Sequence, residues 1–199
     1  MEIAELLQRC RDGDELAWEA LVREHQARVY AVALGYTGAV DEARDLAQEI
    51  FVRVFRKLHT CEDPDRFVSW LLRIARNAGI DHLRRRRARP PRQDIPAEEM
   101  VDLVHRGPDP EEEFLRDRRK RLVLRALQTL SKINKEIVLL KDIQGLPLEE
   151  IARILDLPLG TVKSRSSRAR VELARAVLAM QQGGGTGRDG LDAGVEVAW

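Results

Sequence analysis

Lys163, Ser164, Arg165, Ser167 and Arg168 fall within the single stretch GTVKSRSSRAR, and none of them is an acid. Arginine and lysine reach phosphate oxygens or the edge of guanine, and serine contacts either. A helix that carries them outward therefore offers the donors that a DNA major groove accepts. The same stretch supplies a buried side, because Val162, Ser166, Ala169 and Leu173 follow one another at helical intervals. Just upstream, GLPLEEIARILDLPLG opens with the helix-starting punctuation of Gly145 and Pro147 and places Glu149 and Glu150 in the first turn, where the helix dipole favours acids. Ile151, Ala152, Ile154 and Leu155 give that helix its apolar side, and DLPLG is a short connection. Two short helices, small residues at their crossing and a tight turn make a helix-turn-helix unit.

No comparable arrangement supports catalysis. His25, His59, His82 and His105 are scattered, no HExxH or CxxC occurs, and no Gly-rich loop follows a strand pattern. The sequence therefore assigns no catalytic residue, no metal site and no cofactor. Cys10 and Cys61 stand too far apart for a metal motif and read as free thiols in a reducing compartment. The chain has 199 residues, 34 basic and 33 acidic, for a formal net charge of +1, with 44% hydrophobic residues. That balance argues against a uniformly basic nucleic-acid coat and against a disordered acidic chain. The start has no apolar run long enough for a signal peptide, and no stretch reaches the ~18 apolar residues of a membrane helix. The expectation is a cytoplasmic protein without membrane insertion.

Charge is segregated along the chain. Met1 to Tyr30 holds seven acids against four bases, RRRRARPPR from Arg84 to Arg92 holds six arginines, and Gln93 to Glu113 holds eight acids against Arg106, with three prolines. Six like charges within nine residues call for an anionic partner, whereas the acidic, Pro-containing stretch has the composition of a linker. Apolar periodicity is helical throughout. Gly13 and Gly35 interrupt the N-terminal pattern; Ala43, Leu46, Ile50 and Val54 mark the next helix; Phe67, Trp70, Leu71, Ile74 and Ala78 mark another, with Trp70 assigned to the core. Helices follow near Phe114 to Leu130 and Lys132 to Asp142. The expected fold is all-α: two small helical domains, residues 1–92 and 114–180, joined by a flexible acidic linker over 93–113 and followed by a disordered Gly-rich tail over 181–199.

EEIARILDLPLGTVKSRSSRAR, Glu149 to Arg170, resembles region four of the extracytoplasmic-function (ECF) sigma factors of bacterial RNA polymerase. Independently, DEARDLAQEIFVRVFRKL, from Asp41, resembles their region 2.2, and FVSWLLRIARNAGIDHLRRRR, from Phe67, resembles regions 2.3 and 2.4, with Ala88 interrupting the arginine run. The blocks occur in the family's order, between Leu6 and Leu178. The resemblance implies a promoter-recognition subunit that is not an enzyme. Its partners would be the RNA polymerase core, through the clamp of the beta-prime subunit and the flap of the beta subunit, and promoter DNA, while an anti-sigma factor stays open as a further partner.

By the same resemblance, Asp45, Gln48 and Glu49 dock on the clamp, and they do lie away from the Leu46, Ile50, Val54 stripe. Arg73, Arg76, Asn77, Asp81 and Arg84 would serve the minus-ten element, with Asn77 at the base-contacting asparagine. The loop His59 to Arg66 would capture a flipped base. Lys163, Ser164, Arg165, Ser167 and Arg168 would read the minus-thirty-five element. Ser166 departs from the family, which has an apolar residue there. Its polar side chain on a buried seam loses an apolar contact there unless Leu157 or Leu159 fills the gap, which leads to the expectation that Ser166→Leu raises the melting temperature of the isolated C-terminal domain. A stand-alone helix-turn-helix regulator is the competing reading; it would need a sensing domain, and the first 92 residues show neither a strand-helix alternation nor a phosphate loop.

Overall fold

The computed structural model describes residues 2–88 and 110–183, and all of its regular elements are helical. The N-terminal bundle comprises α1 (Ile3–Arg11), α2 (Glu15–Thr37), α3 (Val40–Lys57) and α4 (Phe67–Ala88), with single 3-10 turns at Leu58–Thr60 and Pro64–Arg66 between the last two. Asp14 separates α1 from α2 because its carboxylate accepts from the backbone N–H of Leu16 and Ala17. These bonds, the Ala17 one foremost, together with Arg9, hold that carboxyl below its ordinary pKa. In α3, Asp41 and Glu42 lead and Arg56 and Lys57 trail, which suits the helix dipole.

Burial explains the bundle. Leu7, Leu21, Leu46, Ile50, Phe67, Leu71 and Leu72 are almost wholly removed from solvent. Each such side chain contributes about 1.5–3 kcal/mol relative to exposure. Gly79 lets α4 cross α2 closely, since a Cβ there would stand 2.5 Å from the Tyr36 ring. Gly35 does not end its helix as the sequence pattern suggested. It lies inside α2 because Leu139, from the other half of the chain, packs onto it, and a Cβ would fall 2.3 Å from Leu139 Cδ2.

The C-terminal half comprises α5 (Pro110–Thr129), α6 (Lys132–Val138) running into a π-helical turn at Leu139–Ile143, α7 (Leu148–Leu155) and α8 (Leu159–Gly183). Ser131 caps α6 by accepting from the Asn134 N–H. Leu127, Ile137, Ile151, Val162 and Ala169 are fully buried. Helix α5 starts inside the stretch read as linker; the rest of that linker, 93–109, and the tail beyond 183 lie outside the described residues. Among the described residues no helix is long and apolar enough to cross a membrane.

The two halves also touch. Gln128 donates to the Gly35 carbonyl at 2.9 Å and Gln144 to the Arg28 carbonyl at 3.3 Å. Within the bundle, His25 of α2 packs its ring 5.2 Å from Phe67 and is 6% exposed. Burial foremost, and Arg28 after it, lower its pKa against an opposing pull from Glu24. A histidine whose folded pKa is depressed contributes stability that is complete above its unfolded value of about 6.5 and is lost as pH falls through that value toward the folded one. Urea midpoints are therefore expected to drop between about pH 7 and pH 5, and His25→Leu should flatten that slope; an equally steep slope in the variant would exclude His25 as its source.

Candidate nucleic-acid interface

The helix-turn-helix takes its shape from α7 and α8, with Asp156 in the left-handed region (φ 54°) ending α7. Asp tolerates that conformation better than most residues. On α8, Val162, Ser166, Ala169 and Leu173 are buried, and Lys163, Ser164, Ser167 and Arg168 are exposed on the other side, with Arg165 half-buried between them. Ser164 donates its hydroxyl to the Thr161 carbonyl at 3.0 Å, which orients it. Arg170 carries the same kind of charge but is engaged, its Nε donating to Asp142 in the π-helical turn at 3.1 Å. Ser166 sits 3% exposed on the seam, and its hydroxyl accepts from the Lys141 ammonium at 3.0 Å. The gap that the sequence placed beside Ser166 therefore has an occupant.

On α4 the outward residues alternate with the buried ones. Arg73, Asn77 and Arg84 are exposed, whereas Arg76 turns to Glu136 of α6 and Asp81 accepts from Arg53 of α3 at 2.9 Å. Arg53 also donates to Glu49 at 2.6 Å, and Glu49 accepts a pair of bonds from Arg85 at 3.2 and 2.8 Å. Those two arginines, Arg85 first, hold the Glu49 carboxyl below its ordinary pKa. Sequence reasoning put Glu49 and Asp81 in different sites; the structure ties both into one ion-pair chain between α3 and α4. Arg53 and Arg85, the links, went unnoticed, although the four-residue step from Glu49 to Arg53 is a readable helical pair. Asp45 and Gln48 stay exposed on α3 beside this chain.

Between the loop after α3 and the start of α7 lies a cleft of about 230 Å³. Thr60, Asp63, Trp70 and Arg73 form one wall, and Glu150 and Arg153 the other. Trp70 belongs to the core, 8% exposed, and donates its indole N–H to the Thr60 hydroxyl at 3.2 Å. Ser69 shares a hydrogen bond with Glu150 at the rim. Among the described residues no cluster of three or more His, Cys, Asp or Glu side chains is placed to hold a metal ion.

A helical bundle followed by a helix-turn-helix with an outward basic face is the build of a DNA-binding transcription protein. The family model for sigma-70 region 2 matches residues 21–89, and that for sigma-70 region 4 matches residues 120–173. The RNA polymerase sigma-H factor of Pseudomonas aeruginosa is 34% identical over 178 residues, covering 87% of this chain and 92% of that protein. The ECF RNA polymerase sigma-E factor of Haemophilus influenzae is 35% identical over 170 residues, covering 83% and 89%. Among solved structures, CnrH in complex with the cytosolic domain of CnrY has a TM-score of 0.62 at 24% identity, covering 87% of this chain and 96% of that one. The sigma factor RpoE of Bartonella quintana, in complex with the anti-sigma factor NepR, has a TM-score of 0.58 at 23% identity, covering 80% and 98%. The chain belongs to the ECF sigma factors of the sigma-70 family. Its function is accordingly promoter recognition in transcription initiation with RNA polymerase.

The Lys141 contact reverses the effect expected at Ser166. Ser166→Ala should cost about 1 kcal/mol by removing the acceptor. Ser166→Leu should cost more, because the larger side chain has to displace the ammonium. Thermal melts of the full chain decide this: a raised melting temperature in Ser166→Leu would mean that Lys141 moves to water without loss.

Proposed function

We propose that this sigma factor works without chemistry of its own, by dividing recognition between two basic helices and one acidic face. The observation that carries the reading is the separation, on both α4 and α8, of a fully buried apolar side from exposed donors in the family's matched regions. Lys163, Ser164, Arg165, Ser167 and Arg168 enter the major groove at the minus-thirty-five element. Arg73, Arg76, Asn77, Asp81 and Arg84 serve the minus-ten element, with Arg73, Arg76 and Arg84 as the cations toward phosphate. A base flipped out of the duplex costs a few kcal/mol of unstacking, and the cleft beside Trp70 and Arg73 is the place in the bundle where single-strand contacts offset it.

Asp45, Gln48 and Glu49 dock on the clamp of the beta-prime subunit, and the C-terminal domain meets the flap of the beta subunit. Residues 1–92 form the core-binding and minus-ten unit, residues 114–180 the minus-thirty-five unit, and 93–113 the acidic connection between them. The protein acts in the cytoplasm, where polymerase and promoter are. An anti-sigma factor is a fitting regulator, supported by the likeness of the fold to the Bartonella quintana sigma factor RpoE solved with the anti-sigma factor NepR.

Run-off transcription with core polymerase on a promoter library tests the whole reading; absence of initiation from every template would favour the stand-alone regulator. Lys163→Ala and Arg168→Ala are each expected to weaken upstream binding by about 1–3 kcal/mol. Asp45→Ala with Gln48→Ala should instead reduce pull-down of core polymerase while leaving thermal stability in place, and undiminished pull-down would remove those residues from the docking face.

A further inference from the structure

Helix α8 is tied to α6 and the π-helical turn by three polar contacts in addition to its apolar seam. The Asn134 amide donates to Glu172 at 2.6 Å, the Lys141 ammonium to Ser166 at 3.0 Å, and the Arg170 Nε to Asp142 at 3.1 Å. Asn134 is buried, and the Asp142 side chain is only 12% exposed. The winding of the turn makes the last two contacts possible. Its Gln144 N–H donates to the Leu139 carbonyl, five residues back, at 3.1 Å, and the adjacent residues Lys141 and Asp142 both reach α8. Neighbouring residues of a regular α-helix do not share a face in this way. Single π-helical turns are rare and concentrate at functional sites.

The seam of α8 leaves these ties something to do. Ser166 and Ala169 stand at its centre and are small, so little side-chain bulk keys the helix against rotation about its own axis. With about 3.6 residues per turn, Arg170 and Glu172 fall on opposite flanks of the line through Val162, Ser166, Ala169 and Leu173. Asp142 holds one flank, Asn134 the other and Lys141 the middle. Rotation in either direction therefore lengthens one of the two outer bonds.

We propose that Asn134, Lys141 and Asp142 are positioning residues for upstream promoter recognition: they fix the rotation of α8 and so decide which of its outward donors meet base edges. The inference deepens the reading of α8 as the minus-thirty-five helix and rests on it. On a helix of about 5–6 Å radius with its side chains, a rotation of about 15° displaces a donor by about 1.5 Å. A directional bond to a base edge does not survive that displacement, whereas a long cationic side chain follows a phosphate. Loss of the bracket removes selectivity before it removes affinity. Loss of Asp142 in particular leaves Arg170 as an additional cation toward the DNA backbone, which favours binding without regard to sequence.

The full-length chain and its variants are assembled with core polymerase, and run-off transcription is scored on two promoter libraries, one randomised in the minus-thirty-five element and one in the minus-ten element. Asp142→Ala removes one tie, Asp142→Glu keeps its charge, and Asn134→Ala removes the tie on the other flank. For Asp142→Ala the ratio between the best and worst upstream sequences is expected to fall about tenfold, with the minus-ten profile unchanged. Asp142→Glu should restore most of that ratio. Asn134→Ala should flatten the upstream profile in the same way, and it carries the test alone if circular dichroism shows Asp142→Ala unfolded. Folded variants that keep the wild-type upstream profile overturn the proposal, even where they melt earlier or initiate less, and so does equal flattening at both elements. Lys163→Ala separates this from the reading beneath it. An upstream profile that Lys163→Ala leaves intact sinks the assignment of α8 and takes the proposal with it, whereas one flattened by Lys163→Ala but not by Asp142→Ala sinks the proposal alone.

Discussion

Leu71, Leu72, Ala75 and Ala78 of α4 are fully buried against the rest of the bundle, and that burial fixes what the helix shows on its other side. With 3.6 residues per turn, a buried side anchored at those positions leaves Arg73, Asn77 and Arg84 pointing outward. Arg76, at the margin between the two sides, is half-buried and reaches whatever lies against that edge. The register cannot slip without taking several kcal/mol of apolar burial with it. Gly79 tightens the constraint, since the Tyr36 ring occupies the space a side chain would need. The outward residues are thus held by the core, and the same logic applies to α8, where Val162, Ala169 and Leu173 set the direction of Lys163 and Arg168.

Charge is arranged around these two helices in pairs as well as in patches. The net charge of +1 conceals a system in which particular cations are already answered from within the fold. Arg76 meets Glu136, Arg85 meets Glu49, Arg53 meets Asp81 and Arg170 meets Asp142. Arg73, Arg84, Lys163 and Arg168 stay without an ion pair among the described residues. Each basic helix therefore presents fewer free cations than its sequence contains, and the acids responsible come from neighbouring elements. The near-neutral total is a property of how the helices are packed, as much as of how acidic and basic stretches alternate.

Local features were legible in the sequence, and long-range pairings were not. Apolar periodicity located the helices among the described residues, the interruption at Gly13 and the buried seam of α8, because each rests on residues within a few positions of one another. Gly35 misled because a glycine reads as a helix break unless one knows that Leu139, from a distant part of the chain, lies on it. Ser166 misled for the same reason: its partner, Lys141, comes from the π-helical turn. Arg170 is likewise answered from a distance, by Asp142 of the π-helical turn. The Arg76–Glu136 pair spans sixty positions and two domains, and no pattern of spacing reports such an approach. Of the site, the sequence revealed which side of each helix faces outward, while the state of each charge there required the tertiary structure.

The internal pairs divide into layers that respond differently to their surroundings. Arg85 with Glu49 and Arg170 with Asp142 involve half-exposed guanidinium groups, so added salt screens them. Arg76 with Glu136 is shielded by burial and is screened far less. Raising ionic strength thus releases outer cations, but it also weakens every phosphate contact those cations make, because counterion release contributes less as salt rises. Lowering ionic strength strengthens phosphate binding and the outer internal pairs together. Salt alone gives no condition under which the free chain gains on DNA without strengthening its own competitors. What changes the balance is a partner that binds one arrangement of the domains in preference to the other, since only a difference in affinity between two states can shift their populations. On the proposed reading of these helices, the balance between internal pairs and phosphate contacts is therefore set by a macromolecular partner and not by ionic strength.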